Sequence, residues 1–372
     1  MNSVHGLIYA YHAYPDLREL GTHRTGAALP FCGRYRLIDF ALSGMMHAGV
    51  RNVGVIMQRG YLSLMEHLSS GRTWNLARTA GGLHLLPPYG LPDAGLGTYA
   101  GCMEALGAVY SYLKDTVRED YVLITRGDLC ANVDMRALVE AHIASGADIT
   151  ALCTAGELPY QHHRFVTDER GRVTELLCCQ NGPGRGMAGL ETYILRRERL
   201  LELVEWSRAA GRLHFHRDAL NYAMQQGWQI AAAVHSGYGL HLMTAADYFR
   251  ANLDMLDPDK RASLFPADRR VLTRVRSDTS SYYSDTAHVK NSLIADGCFI
   301  EGDVENCVLF GGVRVKPGAS LRNCIVLNDT VIGEGAELNC VISDKNAALS
   351  PYLSLSGSAL LPLLIPKGSR LK

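Results

Sequence analysis

From Val4 to about Tyr238, short apolar or β-branched runs alternate with longer segments of mixed apolar and polar residues. The runs Gly6–Ala10, Asn52–Met57, Asp120–Thr125, Asp148–Cys153, Val173–Leu177, Gly189–Leu195 and Gln229–Val234 predict strands. The segments Ile38–Ala48, Tyr61–Ser69, Met103–Leu113, Met135–Ala144 and Arg197–Ala210 predict helices. Strand, helix and strand at this spacing imply an α/β domain with a mostly parallel sheet covered by helices on both faces. Ligands of such sheets bind beyond the carboxyl ends of the strands, so chemistry is expected in the loops that follow them.

The pattern changes after about Arg276. Ser277–Ala287 reads as a polar linker or crossing segment, and an internal repeat follows it. Asn291-Ser-Leu-Ile, Asn306-Cys-Val-Leu, Asn323-Cys-Ile-Val and Asn339-Cys-Val-Ile recur at spacings of 15, 17 and 16 residues. Short aliphatic runs with turn residues at this period predict a triangular parallel β-helix, whose coils must stack because none can bury its inner face alone. Four coils are visible, with a stacked asparagine ladder and Cys307, Cys324 and Cys340 beside it. The expected domains are 1–240, a linking segment 241–287, and the β-helix 288–372.

Composition narrows the function classes. The 37 basic residues balance 37 acidic ones, which argues against a broad nucleic-acid footprint. The chain is 47% apolar with a mean hydropathy of −0.02, and no apolar run approaches a membrane span. The N-terminus lacks the pattern of a secretory signal, so the cytoplasm is the expected location. Ten cysteines are scattered without CxxC or Cys/His spacing, which predicts reduced, mostly buried thiols and no zinc site.

Three stretches carry candidate chemistry. Tyr121-Val-Leu-Ile-Thr-Arg-Gly-Asp128 is a buried strand ending in Gly127-Asp128, where a carboxylate is placed either to hold Mg²⁺ against a phosphate or to cap the helix that follows. The Gly71–Gly82 loop ends in two glycines that would permit close backbone approach to a ligand. Between the first strand and Pro30-Phe-Cys-Gly-Arg-Tyr-Arg-Leu-Ile-Asp-Phe40, the loop Tyr11-His-Ala-Tyr-Pro-Asp-Leu17 lacks the glycines and basic residues of a phosphate cradle.

Several of these segments together resemble the glucose-1-phosphate adenylyltransferase (ADP-glucose pyrophosphorylase) family. Pro30–Phe40 is similar to its PFGGxYRxIDF segment, and Trp74-Asn-Leu, Gly81-Gly82 and Leu86-Pro-Pro88 to its WDL, GG and LPP stretch. Tyr99-Ala-Gly-Cys-Met-Glu-Ala105 is similar to YxGTADA, and Gly127-Asp128 to the metal loop. The resemblance implies a Rossmann-like nucleotidyltransferase domain followed by a left-handed parallel β-helix. It also implies a reaction in which glucose 1-phosphate attacks the α-phosphorus of ATP, assisted by Mg²⁺ in the catalytic members.

Carried over residue by residue, that chemistry is mostly missing. The GGxGxRL cradle falls on Tyr11–Leu17, with Asp16 in place of the phosphate-binding arginine. The lysine of AKPAVPF falls on Gly26, and Glu-Lys-Pro falls on Cys178-Cys179-Gln180. A sugar-contacting serine falls near Gly189, and the second metal aspartate falls on His241, leaving Asp128 as a weak cation ligand. Tyr99, Gly127 and Asp128 are the remnants, and no catalytic residue is assigned beyond Asp128.

This degeneracy on an intact scaffold resembles the regulatory, GlgD-type subunit. It implies no cofactor of its own, a catalytic homologue as partner in a hetero-oligomer, and a place in glycogen synthesis. Arg24 and Arg36 match family arginines at an anionic-effector cleft, where they would clamp a sugar phosphate; the alternative is a structural ion pair, such as Arg36 with Asp39. The competing reading is a self-sufficient transferase in which Arg18, Arg24 or Arg126 replaces the missing cations. A ligand-sensing protein outside this metabolism is the third.

Overall fold

The alternating pattern of the first 240 residues folds as the period predicts. The computed structural model describes residues 3–58, 60–79, 81–88, 99–158, 162–180 and 184–372. One compact unit comprises residues 1–12, 38–240 and 266–272. Its strands are β1 (Val4–Tyr9), β2 (Asn52–Ile56), β3 (Gly82–Leu86), β4 (Tyr121–Arg126), β5 (Ile149–Thr154), β6 (His162–Thr167), β7 (Val173–Gln180), β8 (Met187–Arg196) and β9 (Ile230–His235). They form one sheet in the order β7-β6-β8-β4-β1-β2-β3, with β5 joining β8 to β9. β1 runs parallel to β2 and β4, whereas β8 runs antiparallel to β4, β5 and β6. The sheet is therefore mixed, and mostly parallel at its centre.

Every strand predicted from the pattern is present, six of the seven within two residues of their expected ends; Val173–Leu177 extends three residues further, to Gln180. β6 was not predicted, because His162-His-Arg-Phe-Val-Thr167 opens with three polar residues that are nevertheless buried. Leu7, Val122, Ile124, Ile149, Tyr193 and Leu195 supply the core, with α-helices Cys102–Ala108 and Arg197–Ala210 contributing Met103, Leu106, Leu200 and Leu203 to it. The Gly81-Gly82 pair serves the chain itself. Both have positive φ (77° and 99°), and a side chain at Gly82 would meet the Leu76 carbonyl oxygen at 2.4 Å. Close approach is required here, at Gly82 to the Leu76 backbone and at Gly81 to the Asn52 side chain. Residues 266–272 strap this unit together: the Leu272 carbonyl accepts from the Trp74 indole at 3.2 Å, and Ser43 Oγ accepts from the Leu272 N–H at 2.8 Å.

The second unit comprises residues 13–37, 241–265 and 273–372. The cut after residue 240 is the expected one, while the 13–37 loop and the helices Ala245–Asp254 and Pro258–Leu264 cluster with the C-terminal repeat. The repeat forms three parallel sheets of six, five and five strands. Its first strand, Tyr282–Tyr283, already lies inside the segment read as a linker, pairing with Phe299–Ile300. There are five full coils and a closing strand at Arg370–Leu371, so the four visible in the sequence undercount them.

Asn291, Asn306 and Asn323 occupy the left-handed corner of successive coils, with φ of 44°, 53° and 49°. Asparagine tolerates that region better than other residues with a Cβ. In the fourth coil the corner falls on Cys340 (φ 52°), one residue after Asn339. Asn291 donates to Asn306 at 2.7 Å and Asn323 donates to Asn339 at 3.2 Å, so the ladder is made of separate rungs. The inner column, including Cys307, Leu309, Leu321, Cys324 and Val326, is fully buried.

Candidate functional site

In the first unit, β1 ends at Tyr9 and the chain continues through Ala10 to His12. The Ala10 N–H donates to the Ile56 carbonyl at 2.9 Å, and the Gly127 N–H donates to the Tyr9 carbonyl at 2.7 Å. These bonds hold the ends of three adjacent strands together, at the edge where the fold class places ligands. Here aromatic rings fill the space. Tyr11 is buried, stacks on His12 at 4.5 Å, and meets Tyr99 and Tyr9 edge-on at 5.3 and 5.7 Å. The Gln58 amide fixes the arrangement, donating to the Tyr11 carbonyl and accepting from the Tyr99 N–H. Burial pushes both the Tyr9 and Tyr11 phenols well above their ordinary range, so neither ring carries charge near neutrality.

Beside this cluster, β4 ends at Arg126, and a turn through Gly127 and Asp128 follows it. Arg126 Nε donates to Asp128 Oδ1 and Arg126 NH2 donates to Asp128 Oδ2, both at 2.9 Å, and both side chains are buried. Arg126 NH1 also donates to Glu191 Oε1 at 2.9 Å. Glu191 comes from β8, whose register with β5 shifts between Gly189 and Tyr193, and its φ of 49° marks the bulge. Bulges of this kind re-aim side chains next to functional sites. Asp128 does not cap the next helix: Asp134 does, accepting from the Ala137 N–H at 2.9 Å.

The remaining candidates of this unit lie close by in the sheet. Gly189 packs under His163, and a Cβ at 189 would stand 2.3 Å from His163 Nε2. That ring bonds the Tyr193 hydroxyl at 3.0 Å and stacks on His216 at 4.7 Å. Burial holds His216 below the usual imidazole range, with nearby Glu191 opposing the shift. Cys178 is half-buried in β7; Cys179 follows it in that strand, and its side chain lies outside the described residues. Cys102 accepts from the Phe215 N–H at 2.9 Å, and burial pushes its thiol up to about 12. It is not an activated nucleophile.

The second unit holds the other candidates. Asp16 is exposed in the first turn of the 3₁₀ segment Pro15–Gly21, Gly26 is buried in the turn Gly26–Ala28, and His241 is buried. The hairpin pairing Pro30 with Arg36 and Phe31 with Tyr35 turns through Cys32 (φ 48°) and Gly33 (φ 78°). Helix Ala245–Asp254 anchors it. The Tyr248 hydroxyl donates to the Pro30 carbonyl at 2.7 Å, and Asn252 Oδ1 accepts from the Cys32 N–H at 2.9 Å.

Arg24 is buried and meets both oxygens of Asp344, from the β-helix, at 3.0 Å. Its NH1 nitrogen is buried with no hydrogen-bond partner among the described residues. The neighbouring Lys345 amine is lowered to about 8, first by burial and then by Arg36 and Arg24, with Asp344 opposing and Lys367 adding a further depression. Arg24, Arg36, Lys345 and Lys367 thus form one electropositive cluster within this unit. In the first unit the Asp39 carboxylate bonds His67 at 2.5 Å.

Among the described residues, no group of three His, Cys, Asp or Glu side chains is placed to hold a metal ion. The Mg²⁺ implied by the family resemblance does not fit at Asp128, because both carboxylate oxygens already accept from a guanidinium. Lys345, Glu191 and the His163–His216 pair escaped the sequence reading. Only Lys345 had a signal, as a basic residue in a turn between coils.

Comparison with known proteins matches these observations. A nucleotidyl transferase family model covers residues 16–257, and a GlmU-like, C-terminal hexapeptide model covers residues 278–356, which assigns the repeat to the left-handed class. The glucose-1-phosphate adenylyltransferase of Geobacillus stearothermophilus is 31% identical over 312 residues, spanning 82% of this chain and 80% of the relative. Those of Bacillus anthracis and Bacillus thuringiensis (strain Al Hakam) are each 30% identical over 321 residues, spanning 85% of this chain and 84% of the relative. With both domain types in order and similarity sustained over most of each partner, the chain belongs to the glucose-1-phosphate adenylyltransferase family.

Proposed function

We propose that the chain is a regulatory, non-catalytic subunit of glucose-1-phosphate adenylyltransferase, acting in the cytoplasm with a catalytic homologue that makes ADP-glucose for glycogen synthesis. The observation that carries this reading is the ion pair of Arg126 with Asp128. Phosphoryl transfer depends on positioning and on neutralising the charge of a triphosphate. At this strand edge the Asp128 carboxylate is committed to Arg126, and the Tyr11 ring is packed into an aromatic cluster at the start of the loop that the family resemblance aligns with the phosphate cradle.

The competing reading, a self-sufficient transferase, needs Arg18, Arg24 or Arg126 as substitute cations. Arg24 and Arg126 each hold both oxygens of an aspartate, and Arg18 is exposed beside Glu19 at 3.7 Å. These pairings weigh against it. In the regulatory reading, Arg24, Arg36, Lys345 and Lys367 receive an anionic effector such as a sugar phosphate. The partly paired Arg24 and the depressed Lys345 amine support this, since a bound anion would relieve the mutual repulsion of the cluster.

The test is co-expression with a catalytic family member, followed by ADP-glucose synthesis against effector concentration. The purified chain alone should show negligible synthesis. Mixed with the catalytic subunit, it should shift the activation curve, and the shift should shrink with Arg36→Ala or Lys345→Met. Turnover by the lone chain at the rate of its mixture with the catalytic subunit would sink the reading.

A further inference from the structure

Two carboxylates reach the Arg126 guanidinium at the end of β4: Asp128, buried in the turn after that strand, and Glu191, half-buried in the bulge of β8. Left alone, like charges brought together would favour protonation of one or their separation. A divalent cation is one solution. A guanidinium carried on the same strand is another, and it requires nothing from solution.

We infer that Arg126 is a tethered counter-ion occupying the seat of the divalent cation, so that this domain closes and stays ordered without metal. Three hydrogen bonds of 2.9 Å carry the inference: Nε and NH2 to the two Asp128 oxygens, and NH1 to Glu191. The planar fork of arginine matches a carboxylate edge in a way that lysine cannot. The positive φ of Glu191 is independent support, because a non-glycine residue holds that conformation only where its surroundings repay the strain. Gly127, between Arg126 and Asp128, is pinned through its N–H to Tyr9, which keeps the two side chains on one face.

The inference rests on the non-catalytic reading of this site, but its readout is separate from turnover and from effector response.

The experiment is Mn²⁺ binding by the full-length chain, followed by the EPR signal of free Mn²⁺ without nucleotide. The wild type should leave Mn²⁺ free, and its unfolding midpoint should be the same in EDTA as in millimolar Mn²⁺. Arg126→Met should gain about one equivalent of Mn²⁺, carried by the two released carboxylates, and the further change Asp128→Asn should abolish that gain. Mn²⁺ bound by the wild type and lost in Asp128→Asn overturns the inference, as does a folded Arg126→Met chain that binds none. Should Arg126→Met fail to fold, the wild-type comparison with Asp128→Asn still decides. Recovery of folding by added Mn²⁺ would be a further positive result.

Discussion

The imidazole of His163 lies where a side chain on residue 189 would have to go. A Cβ built on Gly189 stands 2.3 Å from His163 Nε2 and 2.8 Å from the Phe165 ring. The serine that the family resemblance puts near this position is therefore excluded by packing as well as by sequence. Gly189→Ser should lower stability by about 1–3 kcal/mol, the usual cost of overpacking a filled core. Combining it with His163→Ala should cost less than the sum of the two single changes, because the second makes room for the first. Urea unfolding midpoints of the three variants provide the check; strict additivity would show that the ring is not what excludes the side chain.

Tyr11 is a core residue at the start of the loop that the family resemblance aligns with a phosphate cradle. Its ring is 4% exposed and touches Tyr9, His12 and Tyr99. Tyr11→Gly should destabilise by about 3–5 kcal/mol, as removal of a buried aromatic does. It should restore no ADP-glucose synthesis, since Gly26 and His241 still stand in place of charged residues. Turnover appearing in the single variant would contradict both expectations about this loop.

The Arg126–Asp128 pair predicts a large asymmetry between breaking it and replacing it. Asp128→Ala takes from the buried Arg126 guanidinium the carboxylate that accepts two of its hydrogen bonds, and should cost about 3–5 kcal/mol. The joint change Arg126→Met with Asp128→Leu removes both charges and should cost much less. Thermal melts of the single and double variants distinguish this from a pair that contributes only packing.

Lys345 gives a pH dependence. Its folded amine titrates near 8, below the ordinary 10.5, because burial, Arg36 and Arg24 disfavour the ammonium form. Between these values the unfolded chain binds more protons, so the contribution of Lys345 to stability rises with pH across that window. An anion bound beside it needs the charged amine. Inorganic phosphate or a sugar phosphate should therefore bind best below about pH 8 and weaken above it. Isothermal titration at several pH values checks this, and Lys345→Met should flatten the dependence.

The local periodicities were legible in the sequence. The seven strands were found because β-branched and apolar runs have few other uses, and the coils because each repeat must stack on its neighbour. β6 was missed because His162, His163 and Arg164 are polar in sequence but buried in the fold, where Arg164 reaches Glu157 and the Gly186 carbonyl. The corner at Cys340 was missed because composition points to Asn339, while coil length places the left-handed residue one position later.

The sequence by itself determined the fold class and the repeat, which are properties of residue type and spacing that local physics reads directly. The tertiary structure decided which side chains meet beyond the strand ends: Tyr11 against His12 and Tyr99, His163 over Gly189, and Arg126 against Asp128 and Glu191. It also decided that Arg24 pairs with Asp344, 320 residues away. Partners so distant in the chain, or aimed by a single bulge, leave no periodic trace, because their meeting depends on sheet order and register.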